Sequence, residues 1–144
     1  MRHQESQRTS GVDPVLLDIN VNSDDRGRIG FCQTGDLGFN INRIYYLFDV
    51  PSQSLRGSHA HRVLEQVLIA VAGSFDVELD NGVSEPSEFH LNNPAKGLRV
   101  PRGHWRTLSN FSSGAVCLVL ASEEYDSADY IRDYSEFVEW ARTK

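Results

Sequence analysis

Short runs of apolar or alternating residues, each closed by turn-forming residues, recur from position 15 to position 121 and leave no room for a long helix between them. They fall at 15–19, 28–32, 41–50, 63–72, 74–80, 83–91, 97–100, 105–109 and 115–121. Strands this short must bury their apolar faces against one another, as sandwiches and barrels do. In the clearest hairpin Phe75, Val77 and Leu79 alternate with Asp76, Glu78 and Asp80 before Asn81-Gly82, a pair that suits the positive φ angles of a type I′ turn. One short helix is expected at the end, where Tyr134, Phe137, Val138 and Ala141 recur at helical spacing, and it is placed to cap the barrel. Residues 1–12 are polar without periodicity and read as a disordered tail, leaving a single domain over 13–144.

Charge and composition exclude several classes. The 144 residues carry a formal net charge of −6, whereas proteins that bind nucleic acid through phosphates usually show a basic surplus. No segment approaches the ~20 apolar residues that span a bilayer, and the N-terminus lacks the apolar stretch of an export signal, so a cytoplasmic protein is expected. Cys32 and Cys117 stand in no metal-like spacing and read as buried thiols. The cations are almost all arginine, a residue suited to bidentate recognition of carboxylate or phosphate.

The stretch Arg56-Gly57-Ser58-His59-Ala60-His61-Arg62-Val63-Leu64-Glu65-Gln66-Val67 carries the chemistry. In one continuous extended strand, His59, His61, Val63, Glu65 and Val67 would share a face, with the two imidazoles about 6–7 Å apart. Neutral histidines are the usual metal ligands and also titrate nearest physiological pH, so this face suits either a metal site or acid–base catalysis. Spacing alone leaves both open.

The segment resembles the first cupin motif: a Gly, then H-x-H, a Glu and a later Gly. The second cupin motif is matched by Pro101-Arg102-Gly103, but Arg106 stands where its His belongs. A permanent cation there is a poor neighbour for a divalent metal. A closer resemblance, from about position 24 to 140, is to the dTDP-4-keto-6-deoxyglucose 3,4-ketoisomerases, small dimeric cupins of deoxysugar pathways. It rests on Asp25-Arg26-Gly27, the 42–49 segment around Tyr45, Arg56-Gly57-Ser58-His59-Ala60-His61, Leu64-Glu65-Gln66, and Tyr125-Asp126 with Asp129-Tyr130-Ile131-Arg132.

The resemblance implies an all-β cupin jelly roll or barrel with a short C-terminal helix, acting as a homodimer without metal or other cofactor. It implies an isomerase that moves a carbonyl between C4 and C3 of a dTDP-linked 4-keto-6-deoxyhexose through an enediol. His59 would be the base, His61 its partner, and Tyr45 the donor to the developing enolate. Arg26, Arg43 and Arg56 would hold the diphosphate, and Glu65, Trp105 and Arg106 complete the substrate-binding set. The competing expectations are a cupin that binds a nucleotide sugar without acting on it, and a metal-dependent cupin epimerase or oxygenase. The acidic stretch around Asp126, Asp129 and Asp133 reads as a solvated lead-in to the helix.

Overall fold

The structure, a computed structural model, describes residues 13–144; the tail expected over 1–12 lies outside them. In chain order the strands are β1 (Val15–Asp18), β2 (Asn20–Asp24), β3 (Gly27–Phe31), β4 (Arg43–Leu47), β5 (Arg56–His61), β6 (Gln66–Ala72), β7 (Phe75–Asp80), β8 (Ser87–Leu91), β9 (Lys96–Val100), β10 (Trp105–Ser109), β11 (Val116–Ala121) and β12 (Tyr130–Ile131), followed by helix α1 (Tyr134–Arg142). One antiparallel sheet runs β1-β9-β6-β11-β4, the other β12-β5-β10-β7-β8, and β2 and β3 form a separate hairpin. The result is the expected cupin-type β-sandwich. No helix among the described residues is long and apolar enough to cross a membrane.

Period-two alternation decides which side chains meet between the sheets. Leu68 and Ala70 of β6, Leu98 and Val100 of β9, and Cys117 and Val119 of β11 face Phe75, Val77 and Leu79 of β7 and Leu108 of β10 in one buried cluster. The opposite side of the first sheet, with Val67, Ile69 and Leu120, is covered by Ile19, Leu37 and their neighbours. On the outer side of the second sheet, Ala60 and Ile131 pack against Phe137 and Ala141 of α1. The helix therefore covers a sheet face instead of closing the end of a barrel. Its N-cap is Asp133, whose carboxylate accepts from the Glu136 N–H, a cap whose removal typically costs ~1 kcal/mol.

Two local expectations are corrected. The hairpin between β7 and β8 is present, with Leu79 opposite Ser87, but its turn is not type I′. Gly82 has φ 85° while Asn81 is not among the residues with positive φ; the Asn81 side chain instead accepts from the N–H groups of Val83 and Ser84. That turn extends the loop, so the second strand begins at Ser87 and not at Val83. The larger correction concerns the histidine strand. β5 ends at His61, and β6 starts at Gln66 in the other sheet. His59 and His61 therefore do not share a strand face with Glu65 and Val67.

Candidate active site

The break between β5 and β6 brings a wall of each sheet to one cavity of about 260 Å³, lined among others by Arg43, Tyr45, Arg56, His59, Gln66, Arg106 and Tyr130. Parity explains the selection. Gln66 stands two residues before the inward Leu68, Arg106 two before the inward Leu108, and Tyr45 belongs to the alternate set on β4 that packs on the core. Ala60 faces α1, so His59 and His61 on either side of it face inward.

β5 is locally irregular just where it approaches the cavity. Its pairing with β10 shifts between Arg106, opposite His59, and Thr107, opposite Gly57. Ser58 is the extra residue, and both Gly57 and Ser58 have left-handed φ angles, 85° and 57°. Such a bulge re-aims the side chains beyond it. Only glycine fits at 57, since a Cβ there would lie 2.9 Å from the Arg106 carbonyl oxygen and 3.1 Å from its Cγ.

The bulge also fixes the protonation of His59. Its Nδ1 lies 3.1 Å from the Gly57 carbonyl oxygen; a carbonyl only accepts, so Nδ1 carries the hydrogen and Nε2 is left as a base. Burial, followed by the Arg106 guanidinium, pushes His59 down to about 4, leaving it neutral at physiological pH.

His61 sits one layer further back. It does not line the cavity; its ring meets His59 edge-on with centroids 4.8 Å apart and lies 4.3 Å from Tyr130. Nδ1 of His61 donates to the Asp129 carboxylate at 3.0 Å. The same carboxylate accepts the backbone N–H groups of Val63 at 2.7 Å and Leu64 at 3.3 Å, turning the chain out of β5. Nε2 of His61 is buried without a partner. Burial and Arg106 hold this imidazole well below its ordinary range, with Asp129 acting as the orienting acceptor.

Facing the histidines is a chain of hydrogen bonds with a fixed sense. Arg106 is buried and donates from Nε to the His59 carbonyl at 3.3 Å, from Nη2 to the His104 carbonyl at 3.0 Å, and from Nη1 to Gln66 Oε1. This orients the Gln66 amide so that its NH2 donates to the Tyr45 hydroxyl oxygen at 2.8 Å, leaving the Tyr45 O–H to donate elsewhere. Burial raises the Tyr45 phenol, so it keeps its proton. Among the described residues no carboxylate is bonded to Arg106, and burial lowers it to about 10, still charged at neutral pH. The Arg43 guanidinium lies 4.5 Å from the Tyr45 ring centroid.

Of the residues expected at the site, His59, Tyr45, Arg43, Arg56 and Arg106 line one cavity. The others do not. Glu65 pairs with Arg99 at 3.0 Å, outside β6 and away from the cavity. Trp105 has the opposite parity to Arg106 and packs on Tyr134 and Phe137. Arg26 is at the tip of the β2–β3 hairpin, exposed and paired with Asp24 at 2.7 Å. Gln66, Asp129 and Tyr130 were not anticipated. Asp129 is no solvated lead-in, because its carboxylate is the anchor of His61. Among the described residues no group of three His, Cys, Asp or Glu side chains is arranged to hold a metal.

Three imidazoles, the half-buried His59 and the buried His61 and His104, are held below the ordinary value of 6.5. As pH falls through about 6.5 the unfolded chain binds protons that the native state refuses. Stability is therefore full above that pH and falls on acidification towards about 4, where native His59 begins to protonate, with a slope of about 1.4 kcal/mol per pH unit for each group. Denaturant midpoints from pH 7.5 downwards should show the decline, and the His59→Asn variant should show a shallower one. Parallel curves for the two proteins would contradict it.

A family model described as "FdtA: WxcM-like, C-terminal" matches residues 12–142. A TDP-4-oxo-6-deoxy-α-D-glucose-3,4-oxoisomerase of Aneurinibacillus thermoaerophilus is 44% identical over 115 residues, covering 79% of this chain and 82% of that one. The crystal structure of a 3,4-ketoisomerase from Helicobacter canadensis superposes with a TM-score of 0.87 at 40% identity, over 90% of this chain and 98% of the other. A histidine-to-asparagine variant of the 3,4-ketoisomerase QdtA from Thermoanaerobacterium thermosaccharolyticum, in complex with TDP-4-keto-6-deoxyglucose, gives 0.89 at 34% identity over 92% and 96%. With a family model spanning nearly all of the chain and relatives of this identity over most of their length, the protein belongs to the family of sugar-nucleotide 3,4-ketoisomerases.

Proposed function

We propose that this chain interconverts the 4-keto and 3-keto forms of a dTDP-linked 6-deoxyhexose, and that the cavity under His59 is where it does so. The observation that carries the reading is the pairing of a neutral, half-buried imidazole with a buried guanidinium that bonds no carboxylate among the described residues, across one small cavity. Nε2 of His59 takes the proton from C3. The C–H electron pair becomes the C3–C4 double bond, and the C4 carbonyl oxygen becomes an enolate facing the Tyr45 O–H and the Arg106 charge. Protonation of that oxygen gives the enediol. Loss of the C3 hydroxyl proton and return of a proton to C4 then leave the carbonyl at C3, with no net oxidation. His61, fixed by Asp129 behind His59, keeps a bare Nε2 available to the proton's return path. Arg43 and Arg56, on the rim of the cavity, are the cations for the diphosphate. No step needs a metal, and Arg106 holds the place where the cupin motif would supply another neutral ligand.

The test is incubation with dTDP-4-keto-6-deoxyglucose in deuterated water, followed by NMR at C3 and C4. Deuterium at C4 of a 3-keto product is the expected result. Binding without any exchange at C3 would replace this reading with that of a nucleotide-sugar-binding cupin.

The protein is proposed to act as a homodimer. β4 is an edge strand, and Ile44, Tyr46 and Phe48 along it are exposed; a second copy would cover both the apolar side chains and the unpaired backbone. Light scattering at micromolar concentration should give twice the chain mass, and a monomer would contradict it.

A further inference from the structure

On the outer side of the sheet, behind the histidine strand, a second and larger space of about 570 Å³ opens between the turn after β5, the 102–104 loop and the end of α1. Arg62, Arg102 and Lys144 line it together with Gly103, His104 and Trp140, and among the described residues no Asp or Glu does, although the chain as a whole carries a net charge of −6. Among the described residues none of these three cations is in an ion pair; Arg62 donates from Nη1 to the Ala128 and Tyr130 carbonyls at 2.9 and 3.1 Å, which leaves Arg102 and Lys144 as the cations turned to a ligand. Asp13 is the acid whose charge reaches His104, and it stands outside the lining. One wall is aromatic. Gly103 is packed so closely that a Cβ would lie 3.3 Å from the Trp140 ring, and the Lys144 ammonium lies 5.3 Å from the centroid of the same indole.

A concave space with cations beside a half-buried aromatic ring matches a ligand that carries phosphate on a flat body. The groove also touches the backbone of the catalytic region. The Gly103 N–H donates to the His61 carbonyl at 2.8 Å, the Arg62 N–H donates to the Asp129 carbonyl at 3.1 Å, and the His104 carbonyl accepts from Arg106 at 3.0 Å. A ligand gripping Arg102 and Lys144 would press on the 102–104 loop, which bonds the His61 carbonyl and Arg106.

We propose that this groove is a second ligand site, separate from the catalytic cavity, for a nucleoside phosphate, and that its occupancy alters turnover. The binding part stands without the assignment of the reaction; the turnover part rests on it.

ATP is a suitable probe and the intact 15N-labelled chain a suitable target, because Trp140 and Trp105 give separate indole N–H signals and Trp105 lies against α1, outside the groove. Saturable movement of the Trp140 signal at millimolar ATP or below is expected. Arg102→Glu combined with Lys144→Glu should weaken that response at least about tenfold, more than 1.4 kcal/mol of binding, while basal isomerisation stays unchanged. Arg43→Gln with Arg56→Gln should leave the response intact. Inorganic pyrophosphate should bind more weakly than ATP. A Trp140 signal that never moves, one that survives charge reversal, or one lost with Arg43 and Arg56 would overturn the site. Equal affinity for pyrophosphate would overturn the nucleoside assignment. In turnover assays ATP should change kcat in the native protein and not in the charge-reversed one. A competitive rise in KM equal in both proteins would mark ATP in the catalytic cavity and overturn the coupling.

Discussion

Replacing His59 by Asn should lower kcat by about 10²-fold or more, the usual contribution of a positioned general base, while binding of dTDP stays nearly intact. Asparagine keeps the approximate size and can still donate to the Gly57 carbonyl, but it has no basic nitrogen to turn towards C3. Arg43 and Arg56, the cations proposed for the diphosphate, come from β4 and the far end of β5 and are not disturbed. Loss should therefore fall on kcat and leave KM close to its native value. His61→Asn should lower kcat as well, with a different isotopic signature. Because His61 stands behind His59, C3 hydrogen should still exchange with solvent deuterium while little 3-keto product forms, whereas His59→Asn should show neither. Near-normal turnover in both variants would remove the acid–base assignment. Circular dichroism and denaturant midpoints separate that outcome from a failure to fold.

The second large effect is expected at Asp129, a residue that touches no substrate. Its carboxylate receives three N–H groups, from His61, Val63 and Leu64. An asparagine in its place has one accepting oxygen and an NH2 that faces donors, so at least one of the three N–H groups loses its partner, at ~1–3 kcal/mol where that group is one of the buried pair His61 and Leu64. His61 would also lose the partner that holds the hydrogen on Nδ1. Asp129→Asn should reduce kcat by roughly 10²-fold with little change in KM, and reproduce the isotopic pattern of His61→Asn. If the two residues act as one unit, the double variant should be no worse than either single variant. Multiplying effects would show that Asp129 contributes by some route other than His61. A fall in stability with native kcat would reduce it to an anchor of the chain turn.

How far the site was legible beforehand follows from the range of the interactions that build it. The H-x-H pair, Tyr45 and Arg106 were accessible because each sits in a local motif or in a strand whose parity can be counted, and the layered β fold followed from alternation. Glu65 and Trp105 failed for related reasons. The run from Val63 to Ala72 looks like one strand, and only the Asp129 carboxylate, more than sixty residues away, takes the Val63 and Leu64 N–H groups and turns the chain there. Trp105 precedes Arg106 by one position, so in a strand it must face away once Arg106 faces inward; with Arg106 assigned to the cavity, parity alone would have removed it. Asp129 was marked only by its place in Asp129-Tyr130-Ile131-Arg132, and an aspartate between two others before a helix reads as capping charge. Gln66 was marked by its place in Leu64-Glu65-Gln66, yet its use depends on the sheet break that moves the strand start past Glu65.

The Arg106 side chain gives the free protein a particular character. Most of the cost of taking that guanidinium out of water is already met in the empty enzyme, by two carbonyls and an amide that neutralise none of its charge. An apolar side chain of similar length would ask less of the fold, and substitutions of buried charge by well-packed apolar groups are often neutral or stabilising. Arg106→Met is thus a change that selection for robustness alone would favour. In the proposed reaction this least comfortable interior residue is the one the chemistry uses: Asp129 acts on it from further off, and a counter-charge at bonding distance arrives as the substrate's own oxygen becomes an anion.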